Sequence, residues 1–251
     1  MIELTLDKLG VSYGQNPVLY DICANVTGAQ LISVIGHNGS GKTTLLKAIA
    51  GLVHHQGEVS VKQDGQDVPV SAIRYVPQLS NIASALSVFE MVLLGLVKTL
   101  SWRVTQDIFD KVDATLHALE IDKLAHVPVN RLSGGQRQLV FLAQAFVSEP
   151  KVLLLDEPTS ALDLRHQLIV MNAVREYTQK NEAITLVIMH DLLTAARFSQ
   201  QILLLERGTL SILDEPELVL QAQRLERIYN VSVSIEKTAS DFLNVVPIKP
   251  L

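Results

Sequence analysis

A short apolar stretch, Leu31-Ile32-Ser33-Val34-Ile35, runs directly into Gly36-His37-Asn38-Gly39-Ser40-Gly41-Lys42-Thr43, and then into Thr44-Leu45-Leu46-Lys47-Ala48-Ile49-Ala50, closed by Gly51. The first stretch suits a buried parallel strand. The last is a helix ended by glycine. The middle reads GxxxxGK[ST], and strand, loop and helix in this order are the context in which that pattern binds phosphate. Gly36, Gly39 and Gly41 let the backbone turn tightly and aim N–H groups at phosphate oxygens. The helix N-terminus adds a field favourable to anions. Lys42 reaches the β- and γ-phosphates, and the Thr43 hydroxyl is a Mg²⁺ ligand in such a loop.

Two more strands are predicted to end on the same edge. Val152-Leu153-Leu154-Leu155 stops at Asp156-Glu157-Pro158, and Ile184-Thr185-Leu186-Val187-Ile188-Met189 stops at His190-Asp191. Ligands of parallel α/β sheets gather at the carboxyl ends of the strands. Asp156 is thereby placed to hold the Mg²⁺ shell, Glu157 to polarise an attacking water, and His190 to touch the γ-phosphate or orient Glu157. Taken singly, the acidic pair also fits a solvated loop, and a lone histidine after a strand is an ordinary structural residue. The phosphate loop upstream favours the chemical reading.

Leu132-Ser133-Gly134-Gly135-Gln136 forms a second anion-binding signal. Ser133 caps a helix starting at Gly134, and the two glycines leave its first N–H groups unshielded. A plain capped helix would look the same. One nucleotide is not easily wrapped by both this segment and the phosphate loop of one chain.

The chain has 251 residues, enough for one large domain or two small lobes. Hydrophobic residues make up 48% and mean hydropathy is positive, yet no apolar run reaches the ~18 residues that span a bilayer. Nothing resembles a signal peptide; Met1 to Asp7 alternate like a strand. One cysteine, Cys23, excludes an intramolecular disulfide and fits a reducing compartment; it is expected in the core. A net charge of −5 without a basic tract argues against a nucleic-acid partner.

Residues 2 to 34 are β-rich and predict an antiparallel flank. Residues 79 to 130 are mostly helical: Ser87-Val88-Phe89-Glu90 is a capping box, and Ile108, Val112, Leu116 and Leu119 share a helix face. Leu86, Val88, Phe89, Met91, Val92, Leu93, Leu94 and Leu96 form a nearly unbroken apolar stretch, split between core and a docking surface. Arg207-Gly208 predicts a hairpin between Ile202–Glu206 and Thr209–Leu213. A short helix is expected near Pro216–Tyr229, with few residues beyond it and no room for a regulatory domain. No internal repeat or low-complexity stretch is present.

Together these segments resemble the ATP-binding cassette (ABC) family over nearly the whole chain, LSGGQ being the more specific motif. Gly36 to Thr43 match the Walker A loop and Val152 to Glu157 match Walker B with its catalytic glutamate. Gln78, in Tyr75-Val76-Pro77-Gln78, matches the Q-loop glutamine. Ser160-Ala161-Leu162-Asp163 match the D-loop, His190 the switch histidine, and Tyr13 the aromatic that stacks on adenine. The resemblance implies an α/β phosphate-loop NTPase core with a mostly parallel sheet, an N-terminal antiparallel β flank and an inserted helical subdomain. Its lobes would be residues 1–78 with 150–251, and 79–149. It implies ATP and Mg²⁺ as cofactors. Glu157, His190 and Gln78 would be catalytic. Tyr13, Gly36, His37, Asn38, Gly39, Ser40, Gly41, Lys42, Thr43, Thr44 and Asp156 would bind nucleotide, together with Ser133, Gly134, Gly135, Gln136 and Asp163. Thr43, Gln78 and Asp156 would face the metal.

It also implies a head-to-tail homodimer in which Ser133 and Gly135 of one copy close over ATP held by Lys42 of the other. Two integral-membrane permease subunits, fed by a substrate-binding protein, would sit above it at the cytoplasmic face of a bacterial inner membrane. The stretches Gly36–Lys47, Glu157–Gln167, His190–Arg197 and Leu225–Val231 look like the ferric-siderophore branch, which includes haem and cobalamin cassettes. A shortened segment between Gly57 and Tyr75, and Leu139 where that branch often has a basic residue, depart from it and leave the cargo open. Another cargo (haem, cobalamin, metal or oxyanion) or an exporter is the alternative. A soluble cassette acting in translation or DNA repair lacks the tandem copy or coiled coil it needs, and a lone phosphate-loop enzyme leaves LSGGQ unexplained.

Overall fold

A computed structural model describes residues 1–78, 84–97, 105–160, 162–238 and 242–251. In chain order, β1 (Ile2–Tyr13) and β2 (Asn16–Thr27) form a long hairpin, β3 (Gln30–Ile35) leads into α1 (Lys42–Ile49), and β4 (Gln56–Gln63) and β5 (Gln66–Asp67) form a second hairpin. Then come β6 (Ile73–Val76), α2 (Val88–Leu93), α3 (Gln106–Ala118), α4 (Gly134–Phe146) and β7 (Val152–Leu155). They are followed by α5 (Leu164–Lys180), β8 (Ile184–Ile188), α6 (Leu192–Phe198), β9 (Gln201–Glu206) and β10 (Thr209–Asp214). The chain closes with α7 (Pro216–Val219), α8 (Ala222–Tyr229), β11 (Val231–Lys237) and β12 (Leu243–Pro250).

Six strands form the central sheet in the order β10-β9-β3-β8-β7-β6. All its pairings are parallel except the β9–β10 hairpin. Side chains alternate across it, as the two-residue repeat of a strand requires. Leu31, Ile35, Leu153, Leu155, Val187, Ile202 and Leu204 join one apolar cluster with α2 to α6. Ile32, Val34, Leu154, Leu186, Ile188, Leu203 and Leu205 join a second cluster with α1 and the antiparallel sheet β2-β1-β4-β5. Both faces being covered explains the nearly continuous apolar strands. Ser33, fully buried in β3, is satisfied by the Ser199 hydroxyl at 2.6 Å.

The antiparallel flank is present, but its last stretch is not part of it: residues 30–35 belong to the central sheet. The predicted capping box of Ser87 with Glu90 forms, and the predicted cap at Ser133 forms as a full box closed by Gln136. Residues 79–83 and 98–104 of the helical stretch lie outside the described residues. Within it, Val88, Met91, Val92 and Leu96 are buried, whereas Leu86 and Leu94 are exposed, as is Val97.

Two further expectations need correction. Cys23 is exposed, not core; its neighbour Ile22 takes the inward position on β2. The helix expected near Pro216–Tyr229 is two helices, separated at Leu220–Gln221. The remaining residues form the β11–β12 hairpin, which packs through Val245 against the cluster holding α6 and α8. Among the described residues no helix is long and apolar enough to cross a membrane.

Candidate nucleotide-binding site

The loop after β3 needs its glycines for two different reasons. Gly36 and Gly41 adopt positive φ and are also crowded: a Cβ on Gly36 would lie 2.2 Å from the Leu205 carbonyl oxygen, and one on Gly41 would lie 2.7 Å from Leu19. Gly39, with φ of +80°, stands in open space and serves the turn alone. The loop delivers Gly41 as the residue capping α1, so the helix N-terminus opens into it.

Lys42 is the first residue of α1, and its side chain turns back over the loop. Its Nζ donates to the Gly36 carbonyl at 2.9 Å and to the His37 carbonyl at 3.0 Å. Burial lowers its pKa, and the carboxylates of Glu157 and Asp156 oppose that shift. Ser40 is buried in the same loop with a hydroxyl that has no hydrogen-bond partner. An orphaned buried hydroxyl is costly unless a ligand oxygen satisfies it.

Asp156 and Glu157 follow β7 and point to different partners. Asp156 is buried; Thr43 Oγ1 donates to its Oδ1 at 3.2 Å and the Tyr75 hydroxyl donates to its Oδ2 at 2.9 Å. Burial and the bond to Asp156 push the Tyr75 hydroxyl far above its usual range. Glu157 has φ of +49°, an uncommon conformation for a residue with a side chain. Its Oε2 accepts from Gln78 Nε2 at 2.8 Å, and its Oε1 lies 2.5 Å from His190 Nε2. Gln78 also reaches Ser160 Oγ at 3.3 Å. The ends of β6, β7 and β8 thus bring Gln78, Glu157 and His190 together around one carboxylate.

A cavity of about 550 Å³ is lined by Asn38, Gly39, Gly41, Lys42, Thr43 and Thr44 of the loop, with Val18, Gln78, Glu157 and His190. Beside it, a smaller one of about 240 Å³ is bounded by Gly36, His37, Asn38, His190, Ile228 and Tyr229. Ser133 to Gln136, at the start of α4, line neither. Tyr13, expected against a base, is 50% exposed at the β1–β2 turn and lines neither cavity. Asp163 caps α5 through His166 N at 2.9 Å, and hydrogen bonds from His166 hold its carboxyl below the usual range. Ala161, within the same segment, lies outside the described residues.

The oxygen donors Thr43 Oγ1 and Asp156 Oδ1 suit a hard cation that keeps most of its shell for water and phosphate, as Mg²⁺ does. Gln78, also expected at the metal, directs its amide nitrogen to Glu157 and Ser160. Two residues were not foreseen as parts of the site. Tyr75, three residues before Gln78, orients Asp156 through its hydroxyl. Tyr229, from the distant α8, has a hydroxyl that burial raises to about 12, partly offset by the backbone amide of Gly36. Nothing in the local pattern around Tyr229 links it to Gly36.

A parallel sheet with a phosphate loop, a Thr–Asp metal pair and a polarisable carboxylate at its carboxyl edge defines a phosphate-loop NTPase. The family model for the ABC transporter matches residues 19–160, and this chain belongs to that family. As a member it is an ATPase coupled to transport. It is 36% identical over 246 residues to the hemin import ATP-binding protein HmuV of Pseudomonas fluorescens, covering 93% of this chain and 94% of that one. It is 29% identical over 241 residues to the petrobactin import ATP-binding protein FpuC of Bacillus anthracis, covering 92% and 88%. A chain of a metal-chelate type ABC transporter solved in an inward-facing conformation superposes with a TM-score of 0.87 at 27% identity, over 99% of this chain and 98% of that one.

Proposed function

We propose that this chain is the ATP-hydrolysing subunit of a bacterial importer for an iron complex, acting as a head-to-tail homodimer beneath two permease subunits fed by a substrate-binding protein. One observation carries the reading of the chemistry: the Glu157 carboxylate, held by Gln78 and His190, stands in the same cavity wall as Lys42 and Thr43. The relatives named for hemin and petrobactin import support an iron-complex cargo.

ATP enters with its phosphates over the loop. The N–H groups from Gly39 to Thr44 and the Lys42 ammonium bind the β- and γ-phosphates, and the Ser40 hydroxyl gains an acceptor. Thr43 and Asp156 would hold Mg²⁺, which supplies charge neutralisation on the phosphate oxygens when bound. Glu157 accepts a proton from the attacking water, while His190 and Gln78 fix the carboxylate's orientation. Breaking the Gln78–Glu157 hydrogen bond when γ-phosphate arrives would tell the segment leading to α2 which nucleotide is present. In this reading residues 79–149 form a helical lobe and the rest a catalytic lobe.

The second anion site, at Ser133 to Gly135, serves the partner's ATP. Leu164, 79% exposed immediately after Asp163, supplies apolar surface beside it that suits a covered interface. Mixing two inactive variants, Lys42→Ala and Ser133→Arg, tests the arrangement. A head-to-tail dimer of one of each has one site with both lesions and one with neither, so ATPase activity returns in part. No recovery despite demonstrated subunit exchange would exclude the proposed dimer.

A further inference from the structure

Gly135 is buried inside the first turn of α4, where the packing of its own chain leaves no room for a side chain. A Cβ there would lie 2.4 Å from Cδ2 and 2.7 Å from Cγ of His166. The imidazole of His166, on the first turn of α5, packs against the Gly135 α-carbon. Its Nδ1 lies 2.8 Å from Asp163 Oδ1, the same oxygen that accepts the His166 backbone N–H at 2.9 Å. One ring therefore touches the Ser133–Gln136 turn with its edge and the Asp163 turn with its nitrogen. Gln167, the next residue, binds the same turn through the Leu162 carbonyl at 3.0 Å.

We propose that His166 is a positioning residue that sets the spacing between the Asp163 turn and the N-terminus of α4, so that the two present a single rigid edge to the partner subunit's nucleotide. This deepens the dimer reading and rests on it. The physical reason is the geometry of the neighbours. The start of α4 is anchored to its own backbone by the Ser133–Gln136 capping box, and the Asp163 turn is anchored to α5. Both caps are local. The His166 ring is a contact between them that excludes any side chain at 135, and the hydrogen bond from Nδ1–H to the Asp163 carboxylate fixes the plane of that ring. Neither Gly135, Asp163 nor His166 lines the cavity that holds Lys42 and its loop, so nucleotide binding by a single chain is expected not to depend on the contact.

The test uses the full chain in a Glu157→Gln background, comparing His166→Ala, Gly135→Ala and the two together. ATP affinity of the separate chains stays within about twofold, while ATP-driven dimerisation weakens about tenfold in each single variant. The double variant is no worse than His166→Ala, because removing the ring makes room for the new methyl group; independent lesions would multiply. Amide hydrogen exchange supplies a readout that does not need the dimer: His166→Ala speeds exchange in residues 134–138 and 163–166 and leaves residues 36–44 unchanged. Dimerisation indifferent to His166→Ala, multiplying effects in the double variant, or ATP affinity falling in step with dimerisation would each overturn the assignment. If the Glu157→Gln parent forms no dimer with ATP, the dimer reading itself fails and the nucleotide-facing role of His166 goes with it. In that case the exchange pattern still decides whether His166 couples the two turns, and unchanged exchange at 134–138 refutes that as well.

Discussion

His190 Nε2 lies 2.5 Å from Glu157 Oε1, so the carboxylate after β7 is held by a residue two positions past the end of β8. Glu157 sits at positive φ, which the flanking strand ends must maintain. A glutamine in its place keeps the shape and a hydrogen-bond acceptor but cannot take a proton. Glu157→Gln is expected to lower ATP hydrolysis by ~10²–10⁴-fold with ATP binding retained. Steady-state phosphate release beside equilibrium ATP titration measures both, and hydrolysis within a few-fold of the parent would remove Glu157 from the mechanism.

Lys42 acts earlier. Its ammonium is held by the Gly36 and His37 carbonyls, already pointed into the loop. Lys42→Ala removes charge-assisted bonds worth ~1.5–3 kcal/mol, so the dissociation constant for ATP with Mg²⁺ should rise roughly 10- to 100-fold. Unchanged affinity by calorimetry would contradict the assigned role.

The apolar stretch around α2 divides into two classes with opposite outcomes. Leu94 and Val97 are 44% and 52% exposed, whereas Val92 is fully buried. Leu94→Ser with Val97→Ser should change stability by no more than about 0.5 kcal/mol and leave ATPase activity of the isolated chain intact, while co-purification with the permease falls. Val92→Ser should instead destabilise the fold by ~2–5 kcal/mol. Retained permease capture by the double surface variant would move the docking site elsewhere.

The α2 cap carries a pH signature. Glu90 accepts from the Ser87 backbone N–H and hydroxyl, both at 2.7 Å, and these bonds hold its carboxyl below the usual range. A depressed folded value stabilises the protein fully above the ordinary unfolded value of a glutamate and loses that contribution as the pH falls through the lower folded value. The stability gap between the parent and Glu90→Ala should therefore be constant near neutrality and shrink in acid. A gap independent of pH in denaturant titrations would show that the charged cap is not what Glu90 contributes.

What was legible in the chain was mostly local. The phosphate loop, the box at Ser87, the cap at Ser133 and the Arg207–Gly208 hairpin are set by residues within a few positions of one another, and each forms as read. At Cys23 cysteine's general preference for the interior yields to the alternation along β2, which puts Ile22 inside. The direction of Gln78, the hydroxyl of Tyr75 on Asp156 and the approach of Tyr229 to Gly36 depend on which strands and helices become neighbours, and no short window contains that information. His166 against Gly135 belongs to the same class: two glycines in a row advertise an open backbone, and only the packing of α5 on α4 reveals that one of them is occupied.

The place of β3 in the sheet has a consequence for how the protein is made. Its two neighbours are β8 and β9, both from the last third of the chain. A ribosome therefore releases the phosphate loop long before it releases the strands that flank it, and β9, which carries the Leu205 carbonyl that packs on Gly36, is the last of them to emerge. Pairings this distant in sequence form slowly and leave apolar strands unpaired meanwhile. During synthesis β3 is an exposed apolar segment awaiting partners, and chaperone contact with the nascent chain should persist until the segment around Leu205 has emerged.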